Sequence, residues 1–436
     1  MSVRATAAAI VFQVVGQGRL LDSVLDREDA QVSVRDQGLL RELCYGTLRW
    51  YPRFEVVLNH LLDKPLKSKD ADLYALLACA LYQLTATRIP PHAAINETVA
   101  ACQTLGKGWA KGLVNAILRR YQREQGTFEG LFKDCNAYWS AHPDWLLSAI
   151  RDSWPDQLEA IVEANNSRAP MTLRVNQLRC RREDYLLKLV EAGIAASPTS
   201  FSEVGIQLDA PQPVVALPGF EAGLVSVQDE AAQLCAQLLD PAPGQRVLDA
   251  CSAPGGKACH LLEYQPEIRE LVALELDAER LHKVEDNLAR LGLSARTLCA
   301  DAARPDQWWD GTPFERILLD TPCSASGVIR RHPDIKVLRK PADIAKLVVV
   351  QATLLEQLWP ALAPGGILLY ATCSILTDEN DRVVSEFVQS RSDASLLPVV
   401  FEEKPKPGLA TGHVGQQLLP GVGGHDGFYY ALLEKQ

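Results

Sequence analysis

From Gly244 to the C-terminus the sequence repeats one rhythm: a short apolar run, a loop, then an amphipathic stretch. Few folds accommodate it. Arg246-Val-Leu-Asp-Ala250 is the first such run and Leu271–Leu276 the second; Ala295–Ala300, Arg316–Asp320 and Gly366–Ala371 continue the series. Ala278–Leu291 carries its apolar residues three and four apart, the mark of a helix with one buried face. Strands that alternate with helices assemble as a parallel sheet covered by those helices, so the sequence predicts a doubly wound α/β domain. A last run, Gly427–Glu434, is rich in aromatics and is expected as an edge strand inserted antiparallel.

Sheets of this kind bind ligands at the carboxyl ends of their strands. Leu248-Asp-Ala-Cys-Ser-Ala-Pro-Gly-Gly-Lys257 takes a strand through a tight two-glycine turn into a helix at that edge. It has neither the Gly-x-Gly-x-x-Gly spacing of dinucleotide folds nor the Gly-Lys-Ser/Thr of phosphate loops, which leaves a different nucleoside as the ligand. Glu275 ends the second strand, 26 residues after Asp249, where a carboxylate accepts hydrogen bonds from two ribose hydroxyls. Asp301 follows the third strand, placed to receive an adenine amino group. One acidic residue at a strand end is ordinarily a helix cap or a solvated group. Acidic residues at successive strand ends point to a nucleoside pocket.

Two further strand ends carry cysteines, in Asp320-Thr-Pro-Cys-Ser324 and Tyr370-Ala-Thr-Cys-Ser374. A cysteine is ordinarily a buried, inert group. The strand ends of a parallel sheet face one edge, however, so both thiols are expected near the ligand. One chemistry would need a thiol there. Carbon 5 of cytosine is a poor nucleophile. A thiolate that adds to carbon 6 moves electron density onto carbon 5, which then takes a methyl group from a sulfonium. A base removes the carbon-5 proton and the thiol is expelled, so one hard step becomes several easier ones. Asp320, holding ring nitrogen 3 in a protonated or hydrogen-bonded state, would make carbon 6 more electrophilic.

Ala253-Pro-Gly-Gly-Lys257, Asp320-x-Pro-Cys323 and Thr372-Cys-Ser374 resemble the three signature motifs of the bacterial 16S ribosomal RNA (cytosine-C5) methyltransferases of the RsmB type. The run Cys323-Ser-Ala-Ser-Gly-Val-Ile-Arg-Arg-His-Pro-Asp-Ile-Lys336 is especially specific, and the resemblance covers the whole chain. It implies S-adenosyl-L-methionine as cofactor and 16S ribosomal RNA as substrate. It implies Cys373 as the nucleophile, Cys323 as the group that assists release of the methylated base, and Asp320 as a ligand of the target cytosine. Ser252, Ala253, Pro254, Gly255, Gly256, Lys257 and Ala258, with Glu275, Asp301 and Asp320, would line the cofactor site. The family more often has Asp at position 275, Ala at 252 and Thr at 258; the longer Glu275 keeps the function and changes the reach.

Residues 1–140 read as helices throughout, in Gln37–Leu62, Asp72–Thr87, Ala93–Leu105 and Lys111–Arg123, with Pro90-Pro91 between two of them. Ala94-Ile-Asn-Glu-Thr98 and Lys111-Gly-Leu-Val-Asn-Ala-Ile-Leu118 resemble the antitermination factor NusB, which implies RNA docking. Residues 141–235 form a small α+β domain with strands at Met171–Val175, Val204–Leu208 and Val225–Val227 and a helix at Arg182–Ala192. Residues 236–436 complete the chain as the methyltransferase domain.

The net charge of −10 opposes RNA binding only on average, because residues 1–140 hold 17 basic and 14 acidic side chains. Arg49, Arg53, Lys64, Lys67, Lys69, Lys107, Lys111, Arg119, Arg120 and Arg123 are expected to supply a phosphate-contacting face. A second basic stretch, Arg330, Arg331, His332, Lys336, Arg339 and Lys340, follows a catalytic strand and is expected to contact RNA. The longest apolar run, Leu73–Tyr82, is about half of the roughly 20 residues that span a bilayer. The N-terminus shows no secretion signal. Eleven cysteines without a Cys-x-x-Cys pair argue against a disulfide framework, a zinc site or thiol redox chemistry. The expectation is a cytoplasmic protein without metal or membrane, a monomer by default. Two other functions compete: an amino-methylating enzyme, whose Asn/Asp-Pro-Pro-aromatic motif would stand at Asp320, and an RNA-binding assembly factor with a vestigial cofactor fold. The second strand-end cysteine opposes the first; the intact glycine loop and both cysteines oppose the second.

Overall fold

The computed structural model describes residues 2–28, 32–399, 401, 409–410, 414–421 and 424–436. The chain divides into two compact units. One comprises Met1–Arg168 together with the later segment Ile329–Pro341, the other Ala169–Val328 and Ala342–Gln436.

The first unit is helical. Val3–Gln17, Val34–Leu61, Ala71–Ala86, Pro91–Thr104 and Lys111–Glu124 surround one core. Ala71–Ala86 is apolar on nearly every side, and Leu73, Leu76, Leu77, Ala78 and Leu81 are all fully buried, as expected of a central helix. At Gly46 a side chain would run into the ring of Tyr82, so glycine sets how closely two of these helices approach. The proline pair ends one helix connection and starts the next helix at Pro91, where a missing N–H costs nothing.

The segment Ile329–Pro341 overturns one expectation. Val337 and Leu338 pack on the helical core. Lys336 donates from Nζ to the Arg49 carbonyl at 3.0 Å and to Oδ1 of Asn166, while Arg49 Nη2 donates to the Arg330 carbonyl at 2.8 Å. The Leu21 N–H donates to Oδ2 of Asp334 at 3.1 Å. Arg330 and Lys336 are therefore 3% and 1% exposed, and burial takes both away from any phosphate. Arg331 is half-buried. Arg49 is buried too, and leaves the expected basic face.

The second unit holds two sheets. In the smaller, β1 (Met171–Val175), β2 (Ala196–Pro198), β3 (Gly205–Leu208) and β4 (Val225–Val227) pair antiparallel in the order β2-β3-β1-β4. The three-residue β2 has no periodicity to reveal it. From β1, Arg174 reaches out of this sheet: its guanidinium pairs with Glu263 at 2.9 Å and donates to the Gly256 carbonyl at 2.6 Å, with both charged side chains buried.

The larger sheet contains β5 (Arg246–Asp249), β6 (Glu270–Glu275), β7 (Arg296–Cys299), β8 (Phe314–Asp320), β9 (Leu362–Thr372), β10 (Ala394–Leu397), β11 (Leu409–Ala410), β12 (Gln416–Leu418) and β13 (Phe428–Lys435). Its order is β11-β12-β13-β9-β8-β5-β6-β7, with β10 also paired to β13. The run β9-β8-β5-β6-β7 is parallel, as the rhythm predicts. β13 is antiparallel to β9 but does not lie at an edge, because β12 and β10 cover its outer side. Helices Glu230–Leu239, Gly256–Tyr264 and Ala278–Leu291 cover one face. Pro341–Leu358 and Asp381–Gln389 cover the other.

Candidate active site

Chain order reverses between β5 and β8, and the crevice beyond the strand ends at such a reversal is where this architecture takes its ligand. The loop Ala250–Gly255 is pinned there. The Ala253 N–H donates to Oε2 of Glu275 at 3.2 Å, and Arg280 bridges Oε1 of Glu275 and the Ala253 carbonyl. Asn287 donates to the Pro254 carbonyl at 2.9 Å. Gly255 has φ +96°, and a Cβ on it would lie 2.9 Å from Cα of Val284, so this position requires glycine twice over. Gly256 opens the next helix, with Ala258 buried beneath it.

Buried polar atoms at this edge are short of hydrogen bonds. Among the described residues neither carboxylate oxygen of Asp249 receives a well-aligned donor, and Ser252 Oγ, close enough to favour the ionised Asp249, has no aligned partner either. Burial, with Asp320 next in weight, raises the Asp249 carboxyl to about 7. A cleft of about 360 Å³ runs alongside, lined by Ala250, Cys251, Glu275, Leu276, Asp301 and Pro322 among others. The structure thus brings Glu275 and Asp301 to one cavity, as predicted from their strand ends. Asp301 also caps the Ala303 N–H at 2.9 Å. Asp249 was legible as the last residue of the first strand, but nothing in the sequence marks its oxygens as short of donors.

Lys257 points from the start of its helix to Asp320, with Nζ 2.6 Å from Oδ2 and 5.1 Å from the ring centroid of Phe428. Burial works against the ammonium, but Asp320, Cys235 and Cys373 outweigh it and hold Lys257 above the usual lysine range. β8 and β9 are adjacent and in register, Asp320 opposite Ala371, so the loops that follow them start side by side. The result is a Cys323 Sγ to Cys373 Sγ distance of 3.4 Å. Cys323 is 8% exposed and Cys373 half-buried. The hydrogen bond to Cys373, then burial, push the Cys323 thiol well up, so Cys323 is held protonated beside its neighbour.

Relatives align with this chain along its whole length. Ribosomal RNA small subunit methyltransferase B of Pseudomonas syringae pv. tomato is 51% identical over 436 residues, covering 100% of this chain and 97% of its own. The Vibrio vulnificus protein of the same name is 48% identical, with 100% of each chain covered. The chain belongs to the ribosomal RNA small subunit methyltransferase B family. Family models agree part by part: "16S rRNA methyltransferase RsmB/F" over residues 236–434, "Methyltr_RsmF/B-like, ferredoxin-like domain" over 142–215, and "NusB family" over 1–123. Among solved structures, PH0851 has a TM-score of 0.82 at 22% identity, covering 100% of this chain and 99% of that one. A methyltransferase homologue from Pyrococcus horikoshii has a TM-score of 0.57 at 26% identity, covering 67% of this chain and 100% of its own. The chain is thus a methyltransferase with a NusB-like helical domain, a ferredoxin-like domain and a Rossmann-like catalytic domain with a mixed sheet.

Proposed function

We propose that the protein transfers a methyl group from S-adenosyl-L-methionine to carbon 5 of a cytosine in 16S ribosomal RNA, through a covalent bond between Cys373 Sγ and cytosine C6. The observation that carries this reading is the pair of thiols, 3.4 Å apart, at adjacent strand ends beside the Lys257–Asp320 ion pair.

The residues present fit the cofactor. It combines a nucleoside with a cationic tail and supplies an electrophilic methyl group. Glu275 and Asp301 offer acceptors for ribose and adenine in the cleft, between apolar walls at Leu276 and Pro322. Asp249, buried with no well-aligned donor among the described residues, suits a cationic group, and Ser252 Oγ adds a polar contact beside it. The backbone of Ala253, Pro254, Gly255 and Gly256 lets a ligand approach closely.

In the reaction, Lys257 fixes the Asp320 carboxylate and Asp320 holds the target cytosine. Cys373 Sγ bonds to carbon 6 and carbon 5 takes the methyl group. A base takes the carbon-5 proton, the C5=C6 double bond reforms from that electron pair and the carbon–sulfur bond breaks, with Cys373 leaving as the thiolate. The protonated Cys323 donates a hydrogen bond to the departing Cys373 sulfur, which assists release. A base within a stacked helix is out of reach, so the cytosine is flipped out or already unpaired.

Docking of the RNA falls to the helical unit. There Lys64, Lys67, Lys69 and Arg123 line a cleft of about 840 Å³ with Trp109. Trp109 is 64% exposed. Exposed cations beside an exposed aromatic ring suit single-stranded RNA, which offers phosphates and unstacked bases together. Lys107 and Arg120 contribute less, because Lys107 is paired with Asp70 and Asp72, and Arg120 with Glu124. A ribosomal RNA substrate supports a cytoplasmic setting.

The test is bisulfite sequencing of 16S ribosomal RNA from cells with and without the gene, rescued by wild type or by Cys373→Ala. One protected cytosine lost without the gene, and restored by wild type alone, is the expected result. An unchanged pattern would sink the ribosomal substrate. Purified protein that binds the cofactor but methylates no RNA would favour an assembly factor instead.

A further inference from the structure

Behind the two thiols lies a buried carboxylate that the reaction itself does not use. Glu379 is completely buried, in the turn between β9 and the helix Asp381–Gln389. Its Oε1 accepts from the Ser324 N–H at 2.7 Å and from Gln351 Nε2 at 3.1 Å. Its Oε2 accepts from the hydroxyls of Ser374, at 2.6 Å, and of Ser324. All four donors are neutral groups.

Ser324 directly follows Cys323, and Ser374 directly follows Cys373. One carboxylate therefore grips both cysteine loops at the next residue along. The surrounding bonds close the clamp. The Gly327 N–H donates to the Cys373 carbonyl at 2.9 Å, and Ser326 Oγ bonds to Ser374 Oγ at 3.0 Å and accepts from the Ile375 N–H at 3.0 Å. Asn380, the next residue, accepts from Thr372 Oγ1 and donates to the Ser374 carbonyl. At Gly327 a Cβ would collide with the Gly427 carbonyl and lie 2.8 Å from the Cys373 carbonyl, so the backbones there are in direct contact.

We infer that Glu379 is a positioning residue that sets the separation and aim of the two catalytic thiols by clamping Ser324 and Ser374. The inference rests on the reading of Cys373 as nucleophile and Cys323 as release group. Charge-assisted hydrogen bonds of this kind are stronger than neutral ones, which suits a clamp. The same carboxylate also adds to the push on the Cys323 thiol, behind the hydrogen bond to Cys373, burial and the Cys373 charge.

The experiment compares Glu379→Ala, Glu379→Gln, Ser324→Ala and Ser374→Ala in the full chain. It measures kcat, KM for RNA, cofactor Kd, and the rate of covalent adduct formation with 5-fluorocytosine RNA. A displacement of about 1 Å at a reacting group costs roughly a hundredfold, so Glu379→Ala should lose about that in kcat and in adduct rate. KM and cofactor Kd should stay within about twofold. Glu379→Gln keeps an acceptor for the Ser324 N–H and should recover most of the loss, which a stability defect alone would not reproduce. Folded Glu379→Ala with wild-type kcat and adduct rate would overturn the inference. Should that variant fail to fold, Ser374→Ala removes the hydroxyl by which Glu379 holds the Cys373 loop, and wild-type kcat there would overturn it equally; Ser324→Ala keeps the Ser324 N–H bond to Glu379 and should lose less. No adduct from the wild-type protein would instead overturn the reading of Cys373, a distinguishable failure.

Discussion

Buried charge occurs in both units, and the two sets are solvated differently. In the helical unit, Arg49, Asp334 and Lys336 each hydrogen bond to a backbone group. At the sheet edge, Asp249 is buried as deeply and, among the described residues, has no well-aligned donor at either oxygen. Burial of a charge is costly unless hydrogen bonds replace water. The first set obtains most of that replacement from the fold, with Arg49 Nε and Asp334 Oδ1 left over among the described residues, and serves the fold. On the proposed reading a ligand completes the second, and there the thiols and Lys257 also gather.

Four variants would break or sharpen this contrast. Cys373→Ala should lower methylation by more than about a thousandfold while cofactor affinity, read by calorimetry, stays within about twofold. A variant that still turned over would remove the sheet edge from the functional side of the comparison. Cys323→Ala should reduce turnover by about a hundredfold, and enzyme–RNA adducts should accumulate on denaturing gels. Normal turnover without such adducts would withdraw its role in release.

Lys336→Ala addresses the other side. It removes the donor to the Arg49 carbonyl and to Asn166 and leaves a cavity, at a cost of about 2–4 kcal/mol in chemical denaturation. Its kcat/KM for RNA, measured well below the unfolding transition, should match wild type. A large rise in KM with unchanged stability would return Lys336 to the RNA surface. The smallest effect is expected from Asp249→Asn. The raised carboxyl, near 7, is protonated below that pH in the free protein and ionised above it. A cationic ligand favours the ionised form, so binding releases a proton, and cofactor affinity should rise with pH to about 7 and then level off. The Asn variant should bind roughly threefold to tenfold more weakly above pH 7, about half to one and a half kcal/mol, with a flat profile. A wild-type profile already flat from pH 6 to 8 would show that Asp249 does not meet the cation.

Much of this was legible in the sequence because it is local. The helix Ala278–Leu291 is bounded as its periodicity predicts. The strands of the parallel core fall within a few residues of the apolar runs, and their ends deliver Glu275, Asp301, Asp320 and both cysteines to one edge. What escaped depends on partners far along the chain. Arg330 and Lys336 look like a basic loop because Arg49, which buries them, lies 281 and 287 residues away. Glu379 looks like one more acidic residue before a helix, and its meaning appears only when Ser324, 55 residues earlier, closes on it. β13 gave its strand character away through its aromatics, but its neighbours β10 and β12 are short and weakly patterned, so its interior position did not show.

The return of Ile329–Pro341 to the first unit bears on how the protein is born. Synthesis delivers Arg168 to the ribosome exit long before Pro341. At about 5–20 residues per second the interval lasts roughly 10–35 s. Throughout that time the nascent helical unit lacks the segment that carries Lys336, Val337 and Leu338, and the groups that receive them stay open to solvent or to chaperones. The first half of this chain is finished by the second, so a gene cut cleanly between the halves would yield a helical fragment with an unfilled seat.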